Sequence, residues 1–247
     1  SGFKRDNLSL KLASKPIKNL AIDFSIRYSD TDTYGGGANE KNEVSSADSR
    51  MKNILIYAPF PVEGLTNSSE TDDDFNLYHP IEYLKDNDRY QGRKILNMNG
   101  SVAWEVISGL TLKTDLGINN NNYTNNRFYG ATTYYVKNNP GVADQGKPAI
   151  SLGKSSINGF RNTNTINYNL KSILPQDHSV NILAGQEYFI TKEQVLTSVV
   201  HGLPSFFDFA TASKLSTQGN AHSIENYFAP DDILLSFFGR INYDYQS

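Results

Sequence analysis

The 247-residue chain holds few side chains able to make or break a covalent bond. It has no cysteine, which excludes thiol catalysis, disulfides and cysteine-type zinc sites. Its four histidines, His79, His178, His201 and His222, lack the spacing that metal ligation needs and read as surface histidines. The acidic run Asp72–Asp74 offers clustered oxygens to a hard cation such as calcium. It lacks the alternating D-x-D-x-D-G layout, so a solvated acidic loop is the plainer reading. Gly35–Gly37 is a glycine run with no strand-then-helix frame to cradle a phosphate. No G-x-S-x-G motif and no paired-carboxylate pattern stands out. The expectation is a protein that is not an enzyme and needs no cofactor and no metal.

The side chains with most to offer a ligand are aromatic. Tyr134 and Tyr135 lie in one polar stretch, and Phe206, Phe207 and Phe209 in another. Flat rings with polar neighbours suit sugar faces or peptide side chains, since they present apolar area with little entropy to lose. These five are the candidate substrate-binding residues. The competing use is to pack the loops against one another or against a partner.

Runs of alternating hydrophobicity must position them. Residues 97–119 read NMNGSVAWEVISGLTLKTDLGIN. Met98, Val102, Trp104 and Val106 precede the turn Ser108–Gly109, and Leu110, Leu112, Leu116 and Ile118 follow it, which predicts a β-hairpin. Further runs cover about Phe3–Ala13, Leu20–Ser29, Asn162–Ile173, Ser179–Ile190 and Ile233–Gln246, for about seven strands in all. Short connections fall at 14–19, 108–109 and 174–178. Long polar ones fall at about 30–93, 120–160 and 191–232. Short helices are expected at Ser46–Tyr57, where a serine cap opens and Pro59 closes the segment, and at Phe206–Lys214. Phe128–Val136 reads as a further strand extending a loop.

Compact soluble domains rarely carry several structureless loops longer than about 15 residues. Tight turns at one end of an antiparallel meander and long loops at the other are the pattern of an outer-membrane β-barrel. The strands reach the roughly 9–11 residues that a tilted strand needs to cross hydrocarbon. Trp104, Tyr243 and Tyr245 fall near the turn end and Tyr28 and Tyr188 near the loop end, as two interfacial girdles would. Asn97, Asn99, Lys113, Asp115, Asn167 and Asn169 alternate with the apolar set and are expected to line a wet lumen or contact a plug. Net charge is −3 with pI near 5.8, which points to no nucleic acid as partner. No stretch approaches the roughly 18 apolar residues of a spanning helix. The opening SGFKRDNLSL is not a signal peptide, so the chain is either cytosolic, relieved of its targeting segment, or an internal piece of something longer.

The succession of segments resembles the SusC/RagA-type TonB-dependent outer-membrane transporters of Bacteroidota. The residues that carry the likeness are SGFKRDNLSLKL, YAPFPVEGL, GRKILNMNGSVAWEVISGLTLKTDLGIN, HSVNILAGQEYF and, most specifically, LLSFFGRINYDYQS. The resemblance implies an all-β, antiparallel up-and-down meander forming part of a large transmembrane barrel of about 22 strands with a plugged lumen. It implies uptake of oligosaccharides or peptides, powered by TonB, beneath a SusD-like surface lipoprotein, in the cell outer membrane and surrounded by its lipid. No plug or TonB-contacting segment is found here. Residues 1–247 are therefore read as a partial barrel domain with the plug and remaining strands absent. The rival is a soluble all-β carbohydrate-binding or adhesin module whose apolar face packs a sandwich core. A glycosidase, needing two facing carboxylates, ranks last.

Overall fold

The computed structural model describes residues 2–35, 85–138, 140–175 and 177–245, without the side chains of Tyr134 and Ser172. The expected helix at Ser46–Tyr57, most of the Gly35–Gly37 run, Asp72–Asp74 and His79 lie outside the described residues.

The chain forms one antiparallel sheet. Its strands are β1 (Gly2–Ile17), β2 (Leu20–Tyr34), β3 (Asn87–Ile107), β4 (Leu110–Tyr129), β5 (Ala149–Asn169), β6 (His178–His201), β7 (Asn220–Phe228) and β8 (Asp232–Tyr245). Neighbours in sequence pair in order from β1 to β7, and β8 also pairs with β6. β7 takes the Gln194–His201 part of β6 and β8 the His178–Thr191 part. The two are thus one long row broken at Ala229–Asp231. Across the break two residues of β6, Lys192 and Glu193, oppose three of its partner, a bulge that tolerates the missing N–H of Pro230. The ladder is held there by the Ala229 N–H donating to the Glu193 carbonyl (3.0 Å).

Tight turns at 18–19 and 108–109, and the turn after β5, fall at one end of the sheet, and the connections 35–86, 130–148 and 202–219 at the other. Gly109 takes φ +82, which a glycine adopts at little cost. A β-carbon there would run into the Asn169 carbonyl. The fifth strand ends at Asn169, earlier than Ile173, because the Asn169 side chain accepts from the Lys171 N–H (2.9 Å) and caps a 3-10 turn at Leu170–Ser172. Proline at 16 sits where β1 carries a bulge between Ser14 and Ile17, so β1 runs on to Ile17 instead of stopping at Ala13.

The register sorts side chains onto two faces, because alternate residues of a strand point to opposite sides. One ladder row reads Leu10, Ile26, Met98, Ile118, Phe160, Ile190 and Ile233. The next row along the strands, on the other face, reads Lys11, Ser25, Asn99, Gly117, Arg161, Phe189 and Leu234. The apolar face is uncovered over most of its area, with Leu10 47% and Phe237 76% exposed. Toward the loops this face ends in a charged row, Asp6, Asp30 and Lys94, with Lys94 Nζ 3.5 Å from Asp30.

The buried residues gather at the loop end. Phe128, Ile150 and Val200 form a ladder row on the apolar side, and Leu203, Phe207 and Ala212 pack over it. Tyr129 and Ala149 lie on the polar side and pack with Val136. Two short helices serve these clusters: α1 (Tyr134–Asn138) and α2 (Phe209–Lys214). The segment Phe128–Val136 is accordingly not a further strand. It is the end of β4, a turn and the start of α1.

Candidate functional site

The polar face carries the side chains that a soluble ligand or a second polypeptide would meet. Asn97, Asn99, Lys113, Asp115, Asn167 and Asn169 all lie on it, as alternation requires. Lys113 Nζ is 2.8 Å from Asp115, and Thr163 Oγ1 donates to Glu187 (3.0 Å). Three hollows of about 160, 250 and 270 Å³ lie along this face. Asn97 and Asn99 link them, and Arg161 lines two of them. Arg5 and Arg27 line the third.

The apolar face has its own polar interruption. Thr114, Asn164 and Gln186 share a ladder row, with Asn162 one same-face step away. Asn164 donates to Gln186 (3.1 Å) and Asn162 (2.7 Å), and Asn162 donates to Thr114 Oγ1 (3.3 Å). Mutual bonding lowers the cost of holding amides away from water. Beside them lies a hollow of about 550 Å³ bordered by Trp104, Leu112, Ile166 and Phe237.

The loop rim holds the five aromatic candidates, and it separates them. Tyr135 belongs to α1, on the polar side. Its ring stacks on Tyr129 at 4.1 Å and its hydroxyl hydrogen-bonds His201 Nε2 at 3.1 Å. Tyr134 begins the same helix, and its side chain lies outside the described residues. Phe207 is buried on the apolar side against Phe128, Ile150 and Val200, and Phe209 packs partly against that cluster. Phe206 is 83% exposed, edge-on to Phe207 at 5.2 Å. Tyr135 and the three phenylalanines therefore stand on opposite sides of the sheet.

His201 is not the surface histidine its spacing suggests: the end of β6 is covered by the loop rim, and His201 anchors that rim. It is buried, stacks on His222 at 4.1 Å and reaches Tyr135. A β7 bulge between Val199 and Val200 leaves His222 as the extra residue and aims it at His201. Burial first, then the His222 charge, lower the His201 pKa, while Asp144 opposes them. Burial raises the Tyr135 pKa, with Arg127 acting the other way. The rim is tied further by Asn220 Nδ2 donating to Asp144 (3.0 Å) and the Leu203 N–H to the Pro148 carbonyl (2.9 Å). Asp208 caps α2 by accepting from the Thr211 N–H (2.8 Å), and those Thr211 bonds hold its carboxyl below the usual range. On β3, above the charged row, Tyr90 donates to Asp32 (2.7 Å), and that bond, with burial, pushes its pKa up to about 12. Among the described residues, no group of three or more His, Asp or Glu is placed to hold a metal ion.

No family profile and no curated protein matches the sequence. Solved structures match its fold. The chain is similar to the RagAB peptide transporter with TM-score 0.69 at 19% identity, covering 99% of this chain and 26% of that one. The RagAB peptide importer in its "open-open" state matches with TM-score 0.68 at 20% identity, and in its "closed-closed" state with 0.66 at 19%, at the same coverages. The chain spans about a quarter of the length of the solved chains it matches. At these identities the likeness is one of fold. The chain is built as an antiparallel meander that matches part of the RagA barrel, in keeping with the SusC/RagA-type resemblance of its strand succession.

Proposed function

We propose that residues 1–247 form part of the wall of an outer-membrane nutrient importer of the SusC type, a partial barrel domain whose plug and remaining strands lie outside these residues. The observation that carries this reading is the two-faced sheet. Seven apolar side chains share one ladder row, the row beside it carries Lys11, Ser25, Asn99 and Arg161, and among the described residues little covers the apolar face. A sandwich core would need a second layer on that face, whereas lipid covers it without one. Among the described residues the outer edges of β1 and of the β7–β8 row pair with no further strand, which fits a wall that continues, since an open edge cannot stand in hydrocarbon.

In this reading the polar face looks into the lumen, and oligosaccharides or peptides pass along it. Uptake is TonB-dependent through the plug, and a SusD-like lipoprotein sits over the loop rim. Exposed Phe206 suits contact with that lipoprotein or with substrate, Tyr135 stands on the lumen side with Tyr134 next to it in sequence, and Phe207 and Phe209 hold the rim together. The chain performs no covalent chemistry.

The test uses the natural-length protein in a bilayer, with nitroxides placed one at a time along β4 from 110 to 120. Oxygen, which partitions into lipid, should relax labels at 112, 116 and 118, and a water-soluble nickel chelate should relax those at 113, 115 and 117. A uniform response along the strand, or water access at 112, 116 and 118, would reject the membrane wall.

A further inference from the structure

Arg27 and Arg161 are exposed on the polar face, and among the described residues neither side chain makes a hydrogen bond or an ion pair. Each lines a hollow, Arg27 one of about 270 Å³ and Arg161 one of about 250 Å³, and Asn97 borders both. No Asp or Glu lines either hollow. The nearest acids stand in the flanking same-face rows: Asp23, Asp115 and Glu187 toward the turns, where Asp23 and Asp115 line the remaining hollow with Arg161, Lys113 holds Asp115 and Thr163 holds Glu187, and Glu193 toward the loops. The floor is open because Gly117 and Gly159 carry no side chain. Arg161 lies across Gly117, its Nε 4.0 Å from where a β-carbon would stand, with Asn99 Oδ1 at 3.4 Å. The two hollows thus make one trough running from β2 to β5, edged by cations and amides.

We infer that this trough seats an extended, carboxylate-bearing ligand, with Arg27 and Arg161 as its two anchors. The inference rests on the polar face being the wet side of the wall, and it names the chemical class of what passes there. Guanidinium groups pair with carboxylates through two parallel N–H···O bonds. Three strand spacings of about 4.8 Å separate the backbones of β2 and β5, so the anchors stand on the order of 15 Å apart. One acidic group cannot satisfy both. A short oligomer with several can, and Asn97, Asn99 and Asn119 then serve its amides or hydroxyls.

The experiment uses the natural-length protein in detergent, with tetraglutamate, tetraglutamine and tetragalacturonate as probes, read by titration calorimetry. The expected result is binding of one or both acidic oligomers at least tenfold tighter than tetraglutamine, weakened by salt. Arg27→Gln/Arg161→Gln should lose about tenfold of that affinity, and Arg27→Lys/Arg161→Lys, which keeps the charge without the paired bonds, should fall between it and the natural protein. Equal affinity for acid and amide probes, or undiminished acidic affinity in the Gln pair, overturns the inference. An Arg27→Cys variant separates the two readings; residues 1–247 hold no other cysteine, and any outside them is replaced first. A thiol that a water-soluble maleimide cannot reach overturns both this inference and the lumen assignment. A reactive thiol alongside unchanged affinity overturns the inference alone.

Discussion

At Gly109 a single dihedral decides whether the β3–β4 turn closes. With φ at +82 and the Asn169 carbonyl where a β-carbon would go, Gly109→Ala meets both backbone strain and a clash. It should destabilise the folded protein by about 1–3 kcal/mol, read as a lowered urea midpoint. His201 is the residue where pH enters. Its folded pKa lies below the unfolded value of about 6.5, so its contribution is full above that pH and is lost progressively as pH falls from there through the lowered value. The groups facing it are Tyr135 from α1, His222 from β7 and Asp144 from the intervening loop. Corrected hydrogen exchange at Leu203 should quicken between pH 7.5 and 5, and His201→Gln should flatten that dependence. An equal slope in the variant would assign the effect elsewhere.

At the level of elements, the two faces set what a charge costs. On the proposed membrane wall, Leu116→Arg, inside the apolar band, should destabilise the bilayer-folded protein by about 2–4 kcal/mol, the penalty of a cation on a lipid-facing strand near the midplane. Arginine at Asn119, on the wet side, should cost less than about 0.5 kcal/mol. Refolding midpoints for the pair measure the contrast, and equal costs would contradict the face assignment. The same contrast explains what was legible in the sequence. Period two is visible only where one side is apolar and the other polar, so strands were located from about Leu20 to Ser29 and from Asn97 to Ile118. Beyond them β4 continues through Asn119–Asn126, polar on both faces, held by ladder bonds that leave no hydropathy trace. β7 escaped for a related reason: it is short and bulged at His222. The aromatic candidates were legible by type, but the side of the sheet each reaches depends on loop path, which spacing does not encode. Arg27 and Arg161 share a trough only through register, so their partnership has no local signature.

For the whole molecule, the architecture divides labour along the strands. The turn-side half presents an apolar band with a polar reverse, and the loop-side half carries the only buried clusters among the described residues. Exchange protection is accordingly expected to rest on ladder bonds in the first half and on side-chain packing in the second. The break at Ala229–Asp231 falls on that division. β7 holds the upper part of β6 and β8 the lower, so the outer row is stitched in two separate seams with Pro230 between them. A pull on the rim that unpicks the first seam stops at the proline, and the turn-side seam keeps every one of its own stitches.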